Sequence, residues 1–136
     1  MSLFVDTSAL YTLLVRSEDG HEQVLEAFRV AVQGTDPLWA TSYVLVETAA
    51  LLQHRIGLDA LRDLERALVP LLSVEWVSEG LHRRAVARLL RGDRRQLSLV
   101  DCASFEFMKA KGLTRALTLD RHFAEAGFEI VPQPGS

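Results

Sequence analysis

Short apolar runs and helical spacings of apolar residues alternate along the whole chain. Residues 2–5 read as a short buried strand and residues 7–15 as a helix. Within 19–32, Val24, Leu25, Phe28, Ala31 and Val32 recur near a 3.6-residue period, which predicts a second helix. Gly34-Thr35-Asp36-Pro37 is a turn. A strand over 38–41 and a helix over 42–55 follow, and Gly57 breaks the helix. Residues 58–68 predict another helix, its end marked by Pro70. A third strand covers 71–77. Ser78 then caps a helix running to residue 91, where Gly92 stops it. A helix over 99–111 ends at Gly112, and a fourth strand (115–118), a short helix (121–126) and a last strand (128–131) complete the pattern. Strands separated by helices imply right-handed crossovers. The expected fold is a single three-layer α/β/α domain with a central, mostly parallel sheet over residues 1–131, and a loose tail over 132–136.

Four acids interrupt this apolar pattern. Asp6 closes Leu3-Phe4-Val5, Asp101 follows Leu97-Ser98-Leu99-Val100, and Asp120 follows Ala116-Leu117-Thr118-Leu119. Glu47 is the only formally charged residue between Asp36 and Arg55. A carboxylate removed from water is costly unless it is protonated, paired or bound to a cation. In an open α/β sheet, sites form beyond the carboxyl ends of the strands. Asp6 and Asp120 fall just past predicted strand ends, Asp101 in the first turn of a helix and Glu47 near one turn into its helix, so all four can face one edge. Converging carboxylates with only oxygen donors suit the hard ions Mg²⁺ and Mn²⁺, which usually act on phosphates. Each acid also has a purely local reading. Asp6 and Asp120 can cap the helices after them, Ser98-x-x-Asp101 is a capping-box pattern, and Glu47 can pair with a buried arginine. A metal site is the one reading that covers all four. Ser8 and Thr118 are candidates for hydroxyls that hold the carboxylates, Thr118 for Asp120.

Composition adds little that is specific. The 136 residues, 49% of them hydrophobic, suffice for one domain with a real core. No apolar run is long enough for a bilayer and no signal peptide is evident, so the expected location is the cytoplasm. Cys102 is the only cysteine and is expected to be a buried packing residue. The four histidines show no ligand spacing and are assigned to surface or packing, and Trp39, Tyr43 and Trp76 to core or interface. The formal charge of −3 is unusual for a protein that binds nucleic acid, but the acid cluster accounts for several of those negative charges. Of 15 basic residues only Lys109 and Lys111 are lysine. Arg84, Arg88, Arg91 and Arg95 recur at helical spacing, expected opposite Leu81, Ala85 and Leu89. Such a stripe could hold an RNA backbone, or be a solvated helix face.

Taken in order, Val5-Asp6-Thr7-Ser8-Ala9-Leu10, Glu47 in its apolar helix, Leu97-Ser98-Leu99-Val100-Asp101 and Ala116-Leu117-Thr118-Leu119-Asp120-Arg121-His122-Phe123 resemble the successive motifs of the PIN domain. Within that family the chain looks like the VapC-type toxin ribonucleases of toxin–antitoxin pairs. The resemblance runs over nearly the whole chain, to Ala126-Gly127-Phe128. It implies an endoribonuclease dependent on Mg²⁺ or Mn²⁺ that leaves a 5′-phosphate and a 3′-hydroxyl. Asp6, Glu47, Asp101 and Asp120 would be its metal-binding and catalytic acids, with Ser8 in support. It also implies a cognate antitoxin, commonly with a basic side chain placed among the acids, and a homodimer formed through helices, for which 43–52 or 58–68 could serve. A haloacid-dehalogenase-type phosphatase would need an aspartate where Ser8 stands. A receiver domain would need one at the end of the third strand, where Ser73-Val74-Glu75-Trp76-Val77 offers none. A non-catalytic PIN scaffold that binds RNA or a protein is the rival from another class.

Overall fold

Five strands form one fully parallel sheet in the computed structural model, which describes residues 2–92 and 97–134. In chain order the elements are β1 (Leu3–Val5), α1 (Thr7–Leu14), α2 (His21–Gln33), β2 (Leu38–Thr41), α3 (Ser42–Arg55), α4 (Leu58–Asp63), β3 (Ser73–Glu75), α5 (Glu79–Gly92), α6 (Leu99–Lys111), β4 (Arg115–Leu117), α7 (His122–Glu125) and β5 (Glu129–Val131). The spatial order is β3-β2-β1-β4-β5, with helices on both faces. All three residues of β1 are buried, as expected of a central strand covered on both sides. The chain winds from β1 outward through β2 to β3, then returns to the other side of β1 for β4 and β5. The direction of winding therefore switches between β1 and β4.

Aromatic side chains tie the strands to the helices. Phe4 of β1 lies 6.1 Å from Phe107 of α6 and 6.2 Å from Phe123 of α7, ring centroid to centroid. Phe105 meets Phe123 edge-on at 4.9 Å. Such pairs add to the burial of large apolar areas. Trp39 packs on Phe107 at 5.6 Å and is covered by the Lys111 ammonium. Cys102 is buried against Ala85 and Ala103, the packing role expected of it, and burial pushes its thiol pKa up.

Most boundaries fall within two residues of those expected, and the departures have local causes. α2 starts at His21 rather than 19 because Gly20 adopts a left-handed conformation, φ 84°. The helix expected over 58–68 is regular only to Asp63. A π-helical turn, Leu64–Leu68, and a 3₁₀ turn holding Pro70 carry it to Leu71. A wide turn absorbs an extra residue without breaking the helix, and here Leu64 and Leu68 both stay buried. α6 ends in a Schellman arrangement about Gly112, φ 76°, with Gly112 N–H donating to the Lys109 carbonyl and Leu113 N–H to that of Met108. Ser78 caps α5 by accepting from Leu81 N–H. Past β5, the Gln133 side-chain amide donates back to the Ile130 carbonyl.

The arginine stripe on α5 does not stand as expected. At about 100° per residue, Arg88 lies only about 20° from Leu81 around the helix, beside the buried face rather than opposite it. There it pairs with Glu106 of α6 at 2.8 Å, and its guanidinium sits 5.1 Å from the Phe105 ring centroid. Arg88 thus joins α5 to α6. Arg84 and Arg91 are exposed, and Arg95 lies outside the described residues. The Arg88–Glu106 pair is largely shielded, so Arg88→Ala should destabilise the protein by about 2 kcal/mol through loss of a charge-assisted hydrogen bond and its ring contact. Arg84→Ala should change stability by less than about 0.5 kcal/mol. Urea melts of the two variants decide between them, and equal effects would show that Arg88 is as free as Arg84.

Candidate active site

At the carboxyl edge of the sheet, where the winding switches, a cleft of about 600 Å³ is lined by Asp6, Glu47, Asp101 and Asp120 together. Each arrives by a different route. The β1 ladder carries one residue past the strand, with Asp6 N–H donating to the Leu117 carbonyl at 3.0 Å, and this delivers Asp6. Asp120 follows β4. Glu47 faces the cleft from the second turn of α3. That helix begins directly after β2 and is capped by Thr41, which accepts from Val44 N–H. Asp101 is held in the first turn of α6.

Asp6 is only 3% exposed and forms no side-chain cap on α1, so its local reading fails. Its Oδ2 accepts from Thr118 Oγ1 at 2.9 Å and from Ser8 Oγ at 3.1 Å. Ser8 also accepts from Leu119 N–H, and Thr118 from Asp120 N–H. The two hydroxyls therefore connect the end of β1 to the loop after β4. Thr118 supports the Asp6 carboxylate rather than that of Asp120, whose backbone alone it holds. Burial, then repulsion from Asp101, raises the Asp6 carboxyl to about 7; the Thr118, Thr7 and Ser8 hydrogen bonds oppose this and lose.

Asp101 realises the capping box: Ser98 Oγ accepts from Asp101 N–H and Asp101 Oδ2 accepts from Ser98 N–H. The cap of the local reading is present, and the same carboxylate also lines the cleft. The cap fixes the rotamer that turns the carboxylate into the cleft. Burial chiefly raises its pKa. The Ser98 hydrogen bonds resist, and the charges of Asp120 and Glu47 add to the rise. Glu47 is half-exposed and makes no ion pair among the described residues, contrary to its local reading. Asp120 Oδ1 accepts from His122 N–H at 2.9 Å, so it does organise the start of α7.

His122 is a neighbour that sequence spacing missed. Its Nδ1 lies 3.0 Å from Asp120 Oδ1, and Asp101, Asp120 and His122 each offer a ligand atom within 4.8 Å of the others. The sequence carries one signal for it, the Asp120-x-His122 spacing. Arg55, Tyr11, Glu18 and Asp19 also line the cleft and were not expected there. The donor set is mostly carboxylate oxygen, and burial first, with mutual repulsion added to it, raises the pKa of Asp6 and Asp101. That chemistry fits a hard divalent ion.

A match to the PIN-domain family model extends over residues 3–129. The chain belongs to the PIN-domain family. Among curated proteins it is 33% identical over 133 residues to the 23S rRNA-specific endonuclease VapC20 of Mycobacterium tuberculosis, covering 96% of this chain and 99% of that one. A crystal structure of M. tuberculosis VapC20, described as a sarcin–ricin loop cleaving toxin, superposes with a TM-score of 0.82 at 31% identity over 93% of this chain and 95% of that chain. FitAcB from Neisseria gonorrhoeae shares the fold at a TM-score of 0.66 and 16% identity, covering 96% of each chain. No helix among the described residues of this PIN domain is long and apolar enough to cross a membrane.

The raised Asp6 pKa has a consequence for stability. Folded Asp6 keeps its proton up to about pH 7, whereas the ordinary carboxyl loses it near 3.8. Folding takes up a proton between those values, so this group's stabilising contribution to the metal-free protein is lost as pH rises from about 4 to about 7. The melting temperature of the metal-free protein should therefore fall over that window relative to Asp6→Asn. Parallel curves for the two proteins would show an Asp6 that titrates normally. A divalent ion held by Asp6 would have to displace that proton, so Mn²⁺ affinity should rise over the same window.

Proposed function

We propose that this PIN domain is an endoribonuclease dependent on Mg²⁺ or Mn²⁺, the toxin of a toxin–antitoxin pair. The convergence of Asp6, Glu47, Asp101 and Asp120 in one cleft carries the reading, and near-full-length likeness to VapC20 supports it. Asp6, Asp101 and Asp120 would hold the ion, with Glu47 completing the ligand set or orienting the attacking water. Such an ion lends positive charge to a phosphodiester and makes water a better nucleophile at neutral pH. The chain's own work is positioning. Ser8 and Thr118 fix the Asp6 oxygens, Ser98 fixes Asp101, and His122 stands against Asp120. A structured loop of ribosomal RNA is the first substrate to try, on the strength of what VapC20 is described as cutting.

The chain should cut RNA with Mn²⁺ or Mg²⁺ and stop with EDTA. Asp6→Asn should lower the rate by at least about a hundredfold, the scale for loss of a group that organises catalytic charge. Asp101→Asn should do the same while staying folded, since its amide oxygen still accepts from Ser98 N–H. Metal-independent cleavage, or full activity in either variant, would reject the reading.

Its partners would be a second copy and a basic antitoxin segment that neutralises the cleft, all in the cytoplasm. Val46 of α3 and Leu90 of α5 are 66% and 76% exposed, Trp76 between β3 and α5 is 74% exposed, and the Tyr43–His82 contact joins α3 to α5. A face that takes in these side chains would fit a homodimer better than residues 58–68, where only Leu58 is a large exposed apolar side chain. Sedimentation should give a dimer that Leu90→Glu dissociates, and a larger complex with the product of the adjacent gene. A monomeric parent protein, or a dimer indifferent to Leu90→Glu, would reject this face.

A further inference from the structure

Among the described residues lining the acid cleft, six are carboxylates: Asp6, Glu18, Asp19, Glu47, Asp101 and Asp120. A single one, Arg55, is basic. Arg55 lies in the last turn of α3, and Glu47, Leu51 and Arg55, each four residues apart, share one stripe of that helix. An arginine so placed would ordinarily be taken up by a neighbouring acid, yet it forms no ion pair among the described residues. Its guanidinium instead lies over the ring of Tyr11, 5.6 Å from the centroid, and that ring is buried and supplied by α1. A ring contact fixes the guanidinium plane while its N–H groups remain able to meet an in-plane acceptor.

We propose that Arg55, steadied by Tyr11, is a substrate-binding residue that holds the phosphate of a nucleotide flanking the cleaved bond. The assignment rests on the nuclease reading and deepens it. Two turns of helix, about 12 Å along the axis, separate Arg55 from Glu47. The phosphate it holds is therefore a neighbour along the strand, outside the circle of acids. A polyanion entering a cleft of six carboxylates is repelled nearly everywhere. One fixed fork of N–H donors gives the strand a point of attachment and so sets which bond faces the acids. A cation at the C-terminus of α3 also offsets the helix dipole, but that role needs no ring beneath it and no cleft beside it.

The test measures binding of a short, fluorescently labelled single-stranded RNA to the full chain carrying Asp6→Asn, in Mg²⁺, so that the RNA stays intact. Adding Arg55→Ala should weaken binding about tenfold and reduce the salt slope by about 0.7, the loss of one phosphate contact on a single strand. Arg55→Lys should restore the slope but only part of the affinity, because an ammonium lacks the planar fork. Tyr11→Leu should fall between the two. Mn²⁺ affinity should not change with Arg55→Ala, and melting temperature should fall by no more than loss of one exposed ring contact allows. An unchanged affinity and slope, or a loss matched by a larger fall in melting temperature, would return Arg55 to capping its own helix. Cleavage separates the two levels of argument. If the unsubstituted protein cuts RNA and Arg55→Ala cuts it with the same KM, this inference alone fails. If the unsubstituted protein neither binds nor cuts RNA, the nuclease reading fails and takes this one with it.

Discussion

Asp6 is a carboxylate placed at the end of the most buried strand of the sheet, and the surrounding structure is organised around keeping it there. Burial and the charge of Asp101 oppose its ionisation, and hydrogen bonds from Thr118, the Thr7 backbone and Ser8 favour it. The balance leaves a group that is half-ionised near neutral pH without metal. Those hydroxyls are not incidental polar residues. By accepting from Leu119 and Asp120 N–H they lock the loop after β4 onto the end of β1. One network thus settles both the orientation of the first acid and the approach of the fourth.

The parallel sheet supplies the rest of the placement. Because β1 is central and the winding switches beside it, chain segments leaving β1, β2 and β4 all emerge at one edge. Asp101 is brought in by a helix instead, and its capping box does two jobs at once. It satisfies orphan amides at the start of α6 and fixes a carboxylate that repulsion would otherwise push toward solvent. Local structure and chemistry here use the same atoms. Capping a helix and lining the cleft, alternatives when each residue is considered alone, are compatible once their neighbours are in place.

Position-specific patterns were legible because each is set by residues close in sequence. The strand and helix order, the glycines at 57 and 112, the Ser78 cap and the capping box at 98–101 are all of this kind. The four acids were legible for a related reason: a charge in an apolar run is anomalous wherever the run folds. Roles that depend on distant elements were harder to see. Arg88 reads as part of a basic stripe until α6 presents Glu106 and Phe105 to it. Thr118 reads as a neighbour of Asp120 until β1 brings Asp6 within 2.9 Å of its hydroxyl. His122 and Arg55 carried almost no signal, because what singles them out is the company of residues from other elements.

The sequence by itself therefore determined the α/β layering, the family and the identity of the four acids, since periodicity and misplaced charge are properties of local runs. Tertiary structure alone decided which hydroxyl holds which carboxylate, which arginine is spent on packing and which is left in the cleft. Those outcomes turn on distances of a few ångströms between segments up to 112 residues apart. Hydrogen bonds and ion pairs fall off too steeply with distance and angle for spacing along a chain to specify them.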